Sequence, residues 1–312
     1  MFSSKPFVAR PYVFVSGKGG VGKSLVAASL AAAAARLGRK TLLVETGDRS
    51  YFQDFLGLPK VDHLPRASGL NFDVALWSGE SCLREYVLHL LKLERLYKIF
   101  FENKVMRALV NVAPGLGEIA ILGKITSGIR KVGPPLNYDT IVVDMPATGH
   151  AMAMFRAPRG MAEAIQIGPI AMHSAEIDRL LGDPDISGLV VVSLLEELPV
   201  SETKEFVKTI ESEFGMPIRI VANRKVDVDL SVQELNSLKE LELGEMSDYA
   251  GGIANQIRTQ EEQLEVLKTE FLKDVPGTDK NKISVIPRMF STEPTEMLIR
   301  AEEALRALST TS

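Results

Sequence analysis

Two lysines, a serine and an aspartate carry the chemistry that can be read from this chain. Lys18, Lys23 and Ser24 lie in Gly17-Lys-Gly-Gly-Val-Gly-Lys-Ser24, and Asp144 ends the apolar run Thr140-Ile-Val-Val-Asp144. The first stretch fits G-x-x-x-x-G-K-[ST], a loop whose backbone N–H groups wrap a polyphosphate. Gly17, Gly19, Gly20, Val21 and Gly22 would form the cradle, and Lys23, Ser24 and Leu25 open the following helix, whose free N–H groups and positive end favour anions. In such a loop Lys23 neutralises the β and γ oxygens and Ser24 binds Mg²⁺, so ATP or ADP with Mg²⁺ is the expected ligand. A chance glycine-rich turn would lack the strand before it and the helix after it.

Asp144 stands where open α/β sheets bind ligands, at the carboxyl end of a parallel strand. It is a candidate Mg²⁺-supporting group, and Gly149, five residues on, can present its N–H to a γ-phosphate. Lys18 is an extra lysine inside the glycine run. It is either solvated and idle or reaches a phosphate, including one bound to a partner subunit.

These residues need a sheet to hold them. Apolar runs at Tyr12–Val15, Lys40–Val44, 71–76, Ile141–Val143, Leu189–Leu194, Ile218–Ala222 and Lys282–Ile286 alternate with helical patterns. The helical patterns cover Gly22–Gly38, 81–112, 250–273 and Pro294–Leu308. Short continuous apolar strands between helices predict a parallel sheet covered on both faces. The expected fold is α/β: a doubly wound, mostly parallel phosphate-loop domain over 1–312, with a small helical subdomain near 80–135 and 151–185.

Composition narrows the function classes. The chain has 312 residues, 46% hydrophobic and 24% charged, with net charge −4. That balance argues against a nucleic-acid partner. One cysteine, Cys82, forbids an internal disulfide and suits a reducing compartment, and no structural zinc is expected. The first residues carry no apolar signal core and no run is long enough to span a bilayer, so a cytoplasmic location is expected, with peripheral membrane contact open. His63, His89 and His173 are not spaced as a metal site.

The loop with its second lysine resembles the deviant phosphate-loop ATPases, a class that includes MinD, ParA, the nitrogenase iron protein and the ArsA ATPases. In that class the extra lysine acts across a nucleotide-sandwich dimer. Asp144-Met-Pro-Ala-Thr-Gly-His150 resembles the second switch of the ArsA and guided-entry targeting ATPases. Pro114-Gly-Leu-Gly-Glu-Ile-Ala and Glu196-Glu-Leu-Pro-Val-Ser-Glu-Thr203 match the same family in order. So do Val221-Ala-Asn-Arg224, with the adenine-contacting Asn223 beside Arg224, and Ile286-Pro287-Arg288, the loop lining the base. The resemblance implies a homodimeric Mg²⁺-dependent ATPase in which Lys18, Lys23 and Asp144 are catalytic, and Asp48 is read as the fourth catalytic residue although the family's motif falls one position before it. Ser24, Asp48 and Asp144 would serve the metal, and Thr148–His150 would sense the γ-phosphate.

Two departures qualify it. The family's first switch reads Asp-Pro-Ala-His, whereas here the segment is Glu45-Thr-Gly-Asp-Arg-Ser-Tyr-Phe-Gln-Asp54, which puts Gly47 at the catalytic position. Asp48 is the candidate to orient the attacking water, Glu45 the fallback; both read otherwise as an exposed turn. The family's methionine-rich client insertion is replaced by residues 151–187 alone, carrying Met152, Met154, Met161 and Met172. These read first as core and dimer packing, and second, with Tyr86–Val112, as a small groove for an apolar client. The alternatives are an energiser of an oxyanion pump, for which one thiol per chain is a poor metalloid site, and a MinD- or ParA-like positioning switch.

Overall fold

The computed structural model describes residues 6–91, 115–241, 244–272 and 282–310. Among these, eight strands form one sheet: β1 (Tyr12–Gly17), β2 (Thr41–Thr46), β3 (Arg66–Ala67), β4 (Asp73–Trp77), β5 (Thr140–Asp144), β6 (Ser187–Leu194), β7 (Ile218–Lys225) and β8 (Ile283–Pro287). Their spatial order is β3-β4-β2-β5-β1-β6-β7-β8. Every neighbouring pair is parallel except β3–β4. The α/β expectation therefore holds, with an added antiparallel edge. Exposed and two residues long, β3 has no apolar periodicity to betray it.

The strands alternate sides with period two, and each side feeds a separate core. Tyr12, Phe14, Leu42, Val44, Ile141, Val143, Leu189 and Val191 point into one. Val13, Val15, Leu43, Val142, Val190 and Val192 point into the other. Each fully buried side chain of this size contributes about 1.5–3 kcal/mol of transfer free energy. Two-sided burial is why these strands read as continuous apolar runs rather than alternating ones.

The helices are α1 (Lys23–Arg36), α2 (Tyr51–Phe55), α3 (Gly79–Leu91), α4 (Leu116–Ile125), α5 (Ser127–Arg130), α6 (Thr148–Ile165) and α7 (Pro169–Gly182). They continue with α8 (Glu197–Phe214), α9 (Val232–Glu240), α10 (Glu245–Phe271) and α11 (Pro294–Ala304). α1 is alanine-rich because it is buried nearly all round, between the sheet and α11. Leu298, Ala301 and Leu305 of the C-terminal stripe pack there, so that segment docks on the domain as expected. α3 packs on α4 and α6 on α7, on the opposite sheet face. Residues 92–114, which include Tyr97, Phe100, Phe101 and the start of the Pro114 motif, lie outside the described residues.

Strand β1 has β5 on one side and β6 on the other. The chain leaves β1 for β2 and returns later to the far side, so a crevice opens at the carboxyl end of β1. That is where an open parallel sheet holds its ligand.

Candidate functional site

The loop between β1 and α1 is braced from both neighbours. Gly17 has φ +153°, and a Cβ there would come within 2.1 Å of the Val192 carbonyl oxygen of β6. Gly22 has φ +93°, and a Cβ there would lie 2.3 Å from Asn223 Nδ2 of β7. That amide donates to the Val21 carbonyl at 2.8 Å. Both glycines answer to conformation and to space at once. Gly22→Ala is expected to cost about 1–3 kcal/mol of stability through αL strain. It should also weaken nucleotide binding roughly 10-fold by displacing loop N–H groups. Urea melts and nucleotide titration check both; adding Asn223→Ala removes the contact but not the strain, so recovery should be partial.

Lys23 and Lys18 take different directions. Lys23 Nζ folds over the loop and donates to the Lys18 carbonyl at 3.1 Å. Burial lowers its pKa, opposed by the nearby Asp144 carboxylate. Lys18 Nζ instead pairs with Glu202 Oε1 of α8 at 2.9 Å, both side chains about one-third exposed (34% and 36%). Gly19 and Gly20 leave open space around the loop's outer turn.

Asp144 sits beside Val15 in register with β1 and beside Glu45 in register with β2. Its Oδ2 accepts from Ser24 Oγ at 2.7 Å. Its Oδ1 is enclosed and has no hydrogen-bond partner among the described residues. Burial pushes the carboxyl up to about 6, against the Ser24 hydrogen bond and the charge of Lys23. An orphaned buried carboxylate oxygen beside a hydroxyl is a hard oxygen donor pair, and it fits Mg²⁺. Gly149 is exposed in the first turn of α6, with nothing within 4 Å of a would-be Cβ.

Gly47, Asp48 and Arg49 form the exposed bend expected after β2, whereas Glu45 lies inside that strand. Asp48 is exposed and makes no hydrogen bond or ion pair among the described residues. Glu45 is buried and its carboxylate is spent on α2: it accepts from the Ser50 hydroxyl and from the backbone N–H groups of Tyr51 (2.6 Å) and Phe52 (3.3 Å). The exposed-turn reading of Glu45 is thereby corrected, because a helix start needs its free N–H groups satisfied. Burial raises the Glu45 pKa despite these donors. Glu45→Ala should lose about 1–2 kcal/mol in chemical denaturation, and Glu45→Gln, which keeps an acceptor, clearly less.

A cleft of about 660 Å³ runs from the loop toward β7 and β8, with Gly20, Gly22, Lys23, Ser24, Leu25, Asn223, Arg224, Pro287 and Arg288 in its wall. That volume suits a nucleotide-sized ligand. Asn223 commits Nδ2 to Val21 and Oδ1 to the Arg224 N–H, so it braces the loop as well as lining the cleft. Arg224 takes φ 58°, and Gln260 of α10 holds this kink by accepting from the Val226 N–H and donating to the Arg224 carbonyl. Arg288 N–H donates to the Lys225 carbonyl at 2.7 Å, which ties the β8 loop to β7.

Sequence reasoning missed Tyr51, Gln256, Gln260, Met289 and Met297, all in the cleft wall. The four-residue spacing of Gln256 and Gln260 on one helix face was the available signal for that pair. Nothing local marked Tyr51 or the methionines.

Comparison with known proteins agrees with this geometry. A family model described as anion-transporting ATPase matches residues 10–170. The chain is 28% identical over 279 residues to the ATPase BagA of Mycobacterium tuberculosis, covering 83% of this chain and 78% of that protein. It is 25% identical over 216 residues to the arsenical pump-driving ATPase of Acidiphilium multivorum, covering 62% of this chain and 35% of that one. It is 24% identical over 160 residues to the ATPase ASNA1 homolog 2 of Paramecium tetraurelia, with 49% and 46% covered.

Proposed function

We propose, from the premise that this chain belongs to the ArsA-type anion-transporting ATPase family and is an ATP hydrolase, that its ATP cycle opens and closes a homodimer and acts on an apolar client. The observation that carries the dimer is the division between the two lysines. Lys23 covers its own loop, whereas Lys18 is held off that loop by Glu202. A weak, part-exposed pair is readily exchanged for a phosphate presented by a second subunit.

In this reading the loop N–H groups and Lys23 hold the β and γ oxygens. Ser24 and Asp144 would hold Mg²⁺, which when bound offsets phosphate charge. Lys18 of one subunit neutralises charge developing in the other's site. Thr148–His150, at the start of α6, registers the terminal phosphate. Asp48 remains the candidate to orient water, an assignment that requires the β2–α2 turn to move inward on closure.

The client reading draws on the other end of the same helix. Where α6 meets α7, Ile165, Ile167, Ile170 and Met172 are exposed, Ile167 at 84% and Met172 at 70%. Met154 is buried in the core and Met152 packs against it, so only part of the methionine set is on offer. A contiguous exposed apolar patch marks an interaction site. α6 joins it mechanically to the phosphate sensor. The client would be an apolar segment of a membrane protein, which implies work beside a membrane; no helix among the described residues is long and apolar enough to cross one.

A metalloid-gated pump is less well supported. Cys82 is buried and its thiol is pushed up to about 12, first by burial, so it is a poor thiolate ligand.

Gel filtration with light scattering in ATP, in ADP and without nucleotide tests the dimer, and capture of an apolar helical peptide by the ATP-bound protein tests the client. Doubling of mass with ATP alone, and capture lost in Ile167→Asp, is the expected result. A nucleotide-independent mass would overturn the gated dimer, and arsenite-stimulated turnover without capture would favour the pump.

A further inference from the structure

Tyr51 occupies an unusual position for a residue in a surface switch. It is the first residue of α2 and lines the cleft together with Lys23 and Ser24. Its N–H is anchored to Glu45 Oε1 at 2.6 Å, and Glu45 pairs in register with Asp144. The side chain shares the cleft wall with the phosphate loop and lies within electrostatic reach of both Asp144 and Arg224. Its ring stacks on Phe55 at 5.2 Å and 20°, and meets Phe52 edge-on at 5.4 Å.

Packing alone does not account for the hydroxyl. A phenylalanine would make the same stack, while the Tyr51 hydroxyl has no hydrogen-bond partner among the described residues. Burial first, and then the Asp144 carboxylate, raise the phenol above its ordinary value. It therefore stays protonated at neutral pH and available as a donor. The side chain is still 47% exposed, open to an incoming ligand.

We infer that the Tyr51 hydroxyl donates a hydrogen bond to the terminal phosphate of a bound nucleoside triphosphate, so that α2 reads the difference between triphosphate and diphosphate. The inference rests on the nucleotide reading of the cleft. It assigns a role to a segment whose acidic residues are turned elsewhere: Glu45 to the helix cap and Asp48 to solvent. The bond discriminates because a diphosphate leaves the hydroxyl facing water at no loss, whereas a triphosphate gives it a charged acceptor.

Tyr51→Phe separates the hydroxyl from the ring. Calorimetric titration of the full chain with ATPγS and with ADP should give a roughly 10-fold loss of affinity for ATPγS and less than about 2-fold for ADP, the size of one hydrogen bond to a charged group. The thermal melt without nucleotide should not move, since the stack on Phe55 survives. Tyr51→Ala, which loses the stack as well, should weaken both ligands. Equal affinity of Tyr51→Phe and the unsubstituted chain for ATPγS, or an equal loss for both nucleotides, overturns the inference while leaving the nucleotide site standing. Failure of the unsubstituted chain to bind either nucleotide overturns the site and the inference together.

Discussion

Lys18→Ala is expected to reduce ATP turnover by roughly 100-fold or more while leaving nucleotide affinity of the monomer within about 2-fold, since a charge supplied across an interface acts on the transition state and not on ground-state binding. The geometry makes this separation sharp. The Lys18 ammonium sits 2.9 Å from Glu202, off its own loop, so removing it takes little from the resting cradle. A part-exposed pair of this kind is worth about 0–1 kcal/mol, so the fold should not suffer either. Glu202→Gln should free Lys18 and leave turnover within about 3-fold of the unsubstituted chain. Complementation gives the decisive measurement. Lys18→Ala chains mixed with Asp144→Asn chains should regain activity, because the second chain still carries the lysine that the first site lacks. Two inactive variants that stay inactive when mixed, although they co-assemble, would place Lys18 in its own site and remove the reason for a dimer.

Asp144→Asn should have two effects of opposite sign. Turnover with Mg²⁺ should fall by about 100-fold or more, because the site loses the negative charge that would support the metal and Ser24 is left only a neutral amide oxygen as acceptor. Stability without nucleotide should rise at pH 7 by about 1–3 kcal/mol, since the native chain carries a buried carboxylate with one oxygen unbonded. The pH dependence follows from the same burial. The folded chain binds the Asp144 proton more tightly, with the carboxyl pushed up to about 6 from its ordinary 3.8. Its contribution to stability is therefore complete below that ordinary value and is lost as pH rises through about 6. Urea denaturation of both proteins from pH 4 to 7 should show a decline with rising pH that is shallower in Asp144→Asn. What decline remains belongs partly to Glu45, whose carboxyl burial also raises. Mg²⁺ should reverse the trend in the unsubstituted chain, where a cation offsets the buried charge, and should do little in the variant. Identical pH profiles would mean that Asp144 is better solvated than its surroundings suggest.

The phosphate loop, Asp144, the order of the strands along the chain and the two-sided sheet were legible because each is a local pattern. Glycines with a following Lys-Ser, and apolar runs of strand length, follow from backbone conformation and burial that neighbours in sequence impose on one another. Asn223 and Arg288 were legible only through the family resemblance, and their placement shows why. Asn223 reaches Val21 across 202 residues of chain, and the Arg288 backbone is tied to Lys225. No short-range pattern records such pairings.

The first switch marks the boundary most clearly. Read as a sequence, Glu45-Thr-Gly-Asp offers Asp48, with Glu45 as the fallback, to orient the attacking water, or else an exposed turn. In three dimensions the unsatisfied N–H groups at the start of α2 claim the Glu45 carboxylate, and that capping swings Tyr51 into the cleft wall. The same holds for Lys18: its position in the loop announces a charge, but only the packing of α8 on β6 decides that the charge meets Glu202 instead of its own loop. Residue types and spacing thus determined the kind of chemistry and the class of fold. Which carboxylates remain available, which hydroxyl enters the cleft and which way each lysine turns were decided by tertiary structure, because hydrogen-bond satisfaction and burial are settled between segments far apart in the chain.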